Sequence, residues 1–316
     1  MRILAIALVA AAVVATVLIV IAYQRDISAA RDRVAHGGQI AQTACGPIEY
    51  TSRGSGPTLL IVHGAGGGFD QALDIAAPLV ASGLRVVLMS RFGYLRTPLP
   101  ADASPAAQAD AHACLLDALK IERAAILGAS AGAPSALQFA LRHAARCTAL
   151  VLLVPAAYMP RPGNEPSLKT PRGLEFLFAT VLRSDFLFWT IMRLAPQTLM
   201  HSILATPPEV VDRASAEEKA RVTRMMKDIL PIAPRRLGLL NDAAVLSTLQ
   251  RYDLERISAP TLAISTADDL FGTYETARYS AEHIPGARFI GFESGGHLWV
   301  GHHREILAEI AAFVKR

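Results

Sequence analysis

The apolar run that begins at Ala124 passes without a break into Gly128-Ala129-Ser130-Ala131-Gly132. A strand that must turn directly into a helix has few solutions. One holds a single residue in a strained backbone conformation, with residues lacking bulk two before and two after it. The Gly-x-Ser-x-Gly spacing meets that demand and leaves the Ser130 hydroxyl at the tip of the turn. The segment from about Ala131 to Ala145 is apolar on one face, as the following helix requires.

A serine hydroxyl attacks only when a base takes its proton, an acid orients the base and donors hold the negative charge that develops. Each has a candidate here. Thr58–Val62 reads as a buried strand and ends in His63-Gly64-Ala65-Gly66-Gly67-Gly68. The N–H groups of Ala65 and Ala131 are the expected oxyanion donors. A second strand, Pro260–Ser265, is followed by Thr266-Ala267-Asp268-Asp269, and a third, Ala287–Phe292, by Glu293-Ser294-Gly295-Gly296-His297. The order is serine, acid, histidine, each just past the carboxyl end of a strand, which is the edge where open α/β sheets place their sites.

These pieces resemble the α/β-hydrolase family, over nearly everything after about residue 45. The resemblance implies Ser130 as nucleophile, His297 as general base and then acid, and Asp269 as the residue that orients His297. It implies no metal and no organic cofactor. The chain departs from the family at Thr266, where Gly is usual, and at Leu270-Phe271-Gly272, where Pro often follows the acid. Spacing favours Asp269 over Asp268. The strand Val151–Val154 runs into Pro155-Ala156-Ala157 and offers no other acid. Ser90-Arg91-Phe92-Gly93-Tyr94 replaces a usual Asp-containing loop and reads as structural or substrate-facing.

The resemblance extends to carbon–carbon hydrolases of ring-fission products, which usually carry a larger residue where this chain has Ala131. Ester hydrolysis therefore ranks first, ahead of that reaction and of a non-catalytic ligand-binding protein on the same fold. His63 reads as structural. Gly64–Gly68 does not read as a dinucleotide loop, because the third glycine of that pattern falls on Phe69.

Elsewhere strands and helices alternate: a helix near residues 70–81, a strand at 85–89, a helix over 105–119 with Ser104 as N-cap. Such alternation predicts a mostly parallel sheet covered on both faces by helices. It breaks near Pro155 and resumes near Asp253. The expected division is a membrane anchor at 1–24, a juxtamembrane linker at 25–44, core at 45–155 and 253–316, and a helical cap at 156–252. The cap carries Phe176, Phe178, Phe186, Phe188, Trp189, Ile191 and Met192. Most of these are expected to pack against the core, and several together to line a pocket for a small, apolar, ester-like substrate; a third reading is that this face touches the bilayer, since the anchor holds the domain close to it.

Ile3–Ala22 is long and apolar enough to span a bilayer, which predicts a single-pass membrane protein with a retained anchor, a cleaved signal peptide being the alternative. Arg2 precedes it and Arg25, Arg31 and Arg33 follow, a count that leans the catalytic domain slightly towards the cytoplasm. Cys45, Cys114 and Cys147 are widely spaced and read as reduced, mostly buried thiols. The net charge of +4 has no long basic run behind it, so nucleic acid is not an expected partner. His302 and His303, at the start of the last helix, read as solvated side chains rather than metal ligands.

Overall fold

A parallel strand buried on both faces needs apolar side chains in both directions, and the central strands here have them. The computed structural model describes residues 2–160 and 183–316. Its strands are β1 (Gln39–Thr43), β2 (Gly46–Arg53), β3 (Thr58–Val62), β4 (Arg85–Met89), β5 (Ala124–Ala129), β6 (Cys147–Leu153), β7 (Thr261–Thr266) and β8 (Arg288–Phe292). Among the described residues these eight form one sheet in the order β1-β2-β4-β3-β5-β6-β7-β8. The β1/β2 and β2/β4 pairs are antiparallel. Every pair from β4 to β8 is parallel.

Side-chain alternation splits the core in two. Leu60, Val62 and Ile126 face the helices α3 (Pro105–Ala118) and α4 (Ala133–Arg142). Leu59, Ile61 and Leu127 point the other way, towards α2 (Leu73–Ala81) and the C-terminal helix, His303–Val314. Each such side chain, fully buried, contributes about 1.5–3 kcal/mol. Ser104 caps α3 by accepting from Ala107 N, as its sequence predicts.

Between β6 and β7 the described insertion is helical: α5 (Asp185–Leu194), α6 (Pro196–Ser202), α7 (Pro208–Arg213), α8 (Ala216–Lys227) and α9 (Arg236–Ser247). Phe176 and Phe178 lie outside the described residues. After β7 come α10 (Thr273–His283) and, following β8, α11 (His303–Val314).

The N-terminal stretch corrects an expectation. Residues 25–44 do not form a separate linker. A single helix, α1, runs from Arg2 to His36, and β1 joins the sheet edge. Nothing between Arg25 and His36 breaks a helix, and Gly37-Gly38 is the first stop. Ile27 and Ala30 are buried against the insertion helices. Residues 3–21 are exposed along their whole length, and α1 is long and apolar enough to cross a membrane.

Two of the three cysteines also differ from expectation. Cys45 and Cys114 form a disulfide, with Cα atoms 6.0 Å apart, and Cys147 is free and buried. Their 69-residue separation hid the pairing, which depends on the β1–β2 turn packing against α3. We expect denatured, unreduced protein to expose one thiol to titration, and reduced protein three. Three thiols before reduction would disprove the bridge. In the chain-entropy description, closing such a loop stabilises the fold by roughly 4 kcal/mol, so reductant should lower the melting temperature.

Candidate active site

The turn after β5 has the backbone its sequence demands. Ser130 has φ 47° and opens a short 3₁₀ turn, Ser130–Gly132, which leads into α4. A Cβ on Gly128 would stand 2.8 Å from Ala133 Cα, and one on Gly132 would stand 2.4 Å from Val62 O. Both glycines are therefore fixed by close contact, the first with the helix and the second with the end of β3. The helix begins at Ala133 rather than Ala131, because the 3₁₀ turn takes up the change of direction.

Three loop ends converge on this turn. His297 Nδ1 donates to Asp269 Oδ2 at 2.7 Å, which leaves Nε2 facing Ser130 Oγ at 2.9 Å. Asp269 is further held by Phe271 N at 2.9 Å and by the Thr273 hydroxyl. The neighbouring Asp268 turns away and accepts from Gly295 N and Gly296 N, at 3.1 and 2.7 Å. It shapes the loop that carries His297. Thr266, where the resemblance predicts Gly, donates to Gly296 O at 2.8 Å. Phe271 stands edge-on to the His297 ring, with centroids 5.0 Å apart.

Ala65, in the loop after β3, lines the same cavity as Ser130 and His297, and Ala131 directly follows Ser130 in the turn. The cavity, of about 120 Å³, is walled mainly by Phe188, Ile203, Ile229, Leu239 and Trp299. Among its described lining residues there is no Asp, Glu, Lys or Arg. Of the aromatic residues named in the insertion, Phe188 lines the cavity, whereas Phe186 and Trp189 pack against Tyr23 of α1. Non-glycine residues with positive φ cluster at the site: Ser130, Val154 and Trp299 line the cavity, and Ala205 adjoins it. Strain of this kind persists only where surrounding contacts enforce it.

The loop after β3 is held by buried charges that the sequence did not reveal. Arg91 pairs with both carboxylate oxygens of Asp242 on α9, at 2.6 and 2.7 Å, and donates to Gly64 O at 3.2 Å. Tyr94 OH accepts from Gly66 N and donates to Asp242. Arg235 donates to Gly67 O at 2.6 Å and pairs with Asp70, which also pairs with Arg33 at the end of α1. Burial alone would raise the Asp70 pKa, but the Arg235 and Arg33 guanidiniums more than offset it and hold the carboxyl below its usual range. The Ser90–Tyr94 loop is thus structural.

His63 is structural too. Its Nδ1 donates to Gly64 O and its Nε2 accepts from Arg91 N. Burial, helped by the Arg91 charge, drives its pKa well below normal, so the ring stays neutral.

A second missed feature is a backbone carbonyl. Ala205 O, in the insertion, accepts from both Leu270 N and His297 N, at 3.0 and 3.3 Å, and so ties the acid loop to the histidine loop. His302 and His303 are half-buried rather than solvated: His302 stacks on Phe292, and His303 accepts from Trp299 Nε1.

Residues 57–300 match a family model described as alpha/beta hydrolase fold. An uncharacterized hydrolase, YcgS, of Bacillus subtilis (strain 168) is 26% identical over 271 residues, covering 81% of this chain and 90% of that protein. A 2-hydroxy-6-oxononadienedioate/2-hydroxy-6-oxononatrienedioate hydrolase of Paraburkholderia xenovorans (strain LB400) is 36% identical over 141 residues. That match covers 40% of this chain and 47% of that protein. A solved alpha/beta hydrolase fold protein from Nakamurella multipartita superposes with a TM-score of 0.70 at 29% identity, covering 88% of this chain and 99% of that one.

Two outcomes test the buried pairs. Asp242→Ala strands the Arg91 charge and should cost about 3–5 kcal/mol of stability, read from the urea midpoint. Arg91→Met combined with Asp242→Leu should recover part of that loss, and an Asp242→Ala protein of native stability would refute the assignment. Because Asp70 titrates lower folded than unfolded, its contribution is present at neutral pH and fades as pH falls below about 4. Asp70→Asn should therefore flatten the acid limb of the stability profile while lowering stability at pH 7.

Proposed function

The chain belongs to the α/β-hydrolase family, and from that premise we propose that it is a membrane-anchored serine hydrolase cleaving an ester or related acyl bond of a small to medium apolar substrate. The observation that carries this reading is the unbroken hydrogen-bond relay from Asp269 through His297 to Ser130, set in the wall of an apolar cavity.

In this mechanism the Ser130 proton passes to His297 Nε2 as the serine oxygen adds to the substrate carbonyl carbon. Asp269 holds the imidazole in the tautomer that accepts the proton and stabilises its charge. The N–H groups of Ala65 and Ala131 hold the carbonyl oxygen as it becomes negative. Collapse breaks the acyl bond, and the leaving alcohol takes the proton from His297. Water, activated by the same ring, then releases the acid and restores Ser130. The helical insertion serves as a cap whose apolar side chains receive the acyl or ring group.

The described lining of the cavity, which holds no Lys or Arg, favours ester cleavage over carbon–carbon cleavage of a charged ring-fission product. A dienedioate carries two carboxylates, and burying one without a cation is expensive. The buried arginines near the loop, Arg91 and Arg235, are already committed to Asp242 and Asp70.

For the anchor, α1 supplies the span, and the Cys45–Cys114 bridge favours an oxidising compartment for the catalytic domain. Arg33 is an internal ion-paired residue rather than a flanking charge, which weakens the lean towards the cytoplasm.

A fluorophosphonate probe should label the native protein and not Ser130→Ala, whose turnover of p-nitrophenyl esters should fall by about 10⁶-fold. Asp269→Asn should lower turnover by about 10⁴-fold with little change in KM. Folded native protein that neither takes the probe nor cleaves any ester in a chain-length series would sink the proposal. Faster turnover of a dienoate ring-fission product than of any ester would move it to carbon–carbon cleavage.

A further inference from the structure

We propose that the outer face of α5, together with Tyr23, is a membrane-contact surface seated in the phosphate-bearing headgroup region of the bilayer that α1 spans. This rests on the reading of α1 as an anchor and goes further, because it fixes which face of the enzyme meets the lipid.

Geometry places the surface. Ile3 to Ala22 rises about 30 Å at 1.5 Å per residue, the thickness of a bilayer's hydrocarbon core. The lipid boundary therefore falls at Tyr23. The Tyr23 ring is edge-on to Phe186, with centroids 5.1 Å apart, and to Trp189 at 5.6 Å. Both belong to α5, so the start of α5 lies within one ring's width of the point where α1 leaves the lipid. The helix cannot be remote from the membrane while α1 remains continuous.

The chemistry of α5 suits that position. Its inward residues Phe188, Trp189 and Met192 are buried, and Phe188 lines the cavity. Its outward residues include Phe186, 45% exposed, and Leu194, 80% exposed. Isolated exposed apolar side chains are ordinary. These two differ because they lie within about 80° of each other around a helix whose first turn packs on Tyr23.

Around them stand groups typical of a membrane–water interface. Trp189 Nε1 donates to Asp26 at 2.9 Å, and Arg193 pairs with the same carboxylate. Arg25 and Arg31, paired with Asp26 and Asp185, keep side chains 72% and 61% exposed, and basic side chains near a bilayer surface are drawn to lipid phosphates. A tyrosine with one wet end settles at this depth. One turn of α5 thus separates the cavity from the bilayer.

The test uses the full-length protein in vesicles of phosphatidylcholine and phosphatidylglycerol. With Cys45 and Cys114 bridged and Cys147 buried, Leu194→Cys offers the accessible thiol for a nitroxide spin label. Val13→Cys marks the middle of the anchor. Glu122→Cys marks the opposite, amino-terminal edge of the sheet. The Leu194 label should show an oxygen-to-nickel collision ratio several-fold above that of the Glu122 label and below that of the Val13 label. A Leu194 ratio equal to that of Glu122, with Val13 reading lipid, overturns the contact surface and leaves the anchor standing. A Val13 label that reads water overturns both.

Discussion

The carbonyl oxygens of Val62 and His63 stand 2.4 and 2.7 Å from where a Cβ on residue 132 would lie. That contact joins the end of β3 to the serine turn, and the site depends on it. It fixes the loop that begins at Gly64 relative to Ser130 with no side chain between them. A Cβ on Gly64 would in turn sit 3.1 Å from Ser130 Cβ. The left-handed Ser130 costs roughly 1–3 kcal/mol in isolation. Pairing of β5 with β3 on one side and β6 on the other leaves the turn nowhere to relax.

Buried charge does the rest of the positioning. Apolar residues of similar volume can be as stable as a buried ion pair, so stability alone does not explain Arg91–Asp242 or Arg235–Asp70. Their guanidiniums do something that no apolar residue can. They donate to Gly64 O and Gly67 O, carbonyls of a loop with too few residues to form helix or sheet. Asp242 and Arg235 both come from the insertion, as does Ala205, which joins the acid loop to the histidine loop. The insertion is therefore a structural part of the site as well as part of the cavity wall.

This division explains what the sequence could disclose. Ser130, Asp269 and His297 were legible because each sits at the carboxyl end of an apolar strand, and a strand end is a local signal. The choice between Asp268 and Asp269 rests on direction: adjacent carboxylates after one strand point apart, one to Gly295 and Gly296, the other to His297. Asp242 carried no such signal, since its partner Arg91 is 151 residues away. Ala205 acts through its backbone, which its residue type does not announce. β1 was hidden because an edge strand with polar neighbours lacks the continuous apolar run that marked β3 and β5.

The two parts of α1 serve different ends. The exposed half is a question of membrane chemistry, but the second half is part of the catalytic domain. Ten residues beyond Tyr23, Arg33 pairs with Asp70 and donates to the carbonyls of Asp228 and Leu230. Asp70 passes that constraint to Arg235, and Arg235 to Gly67 O. Two carboxylate–guanidinium contacts and one hydrogen bond therefore connect the end of a membrane-length helix to the loop that faces Ser130. A cut before Tyr23 and a cut after His36 are not equivalent ways of freeing the domain from a membrane. The first removes mainly exposed apolar surface, with the half-buried Ala22 at its end. The second also strips Asp70 of one of its two cations and uncovers the insertion surface that Ile27 and Ala30 bury.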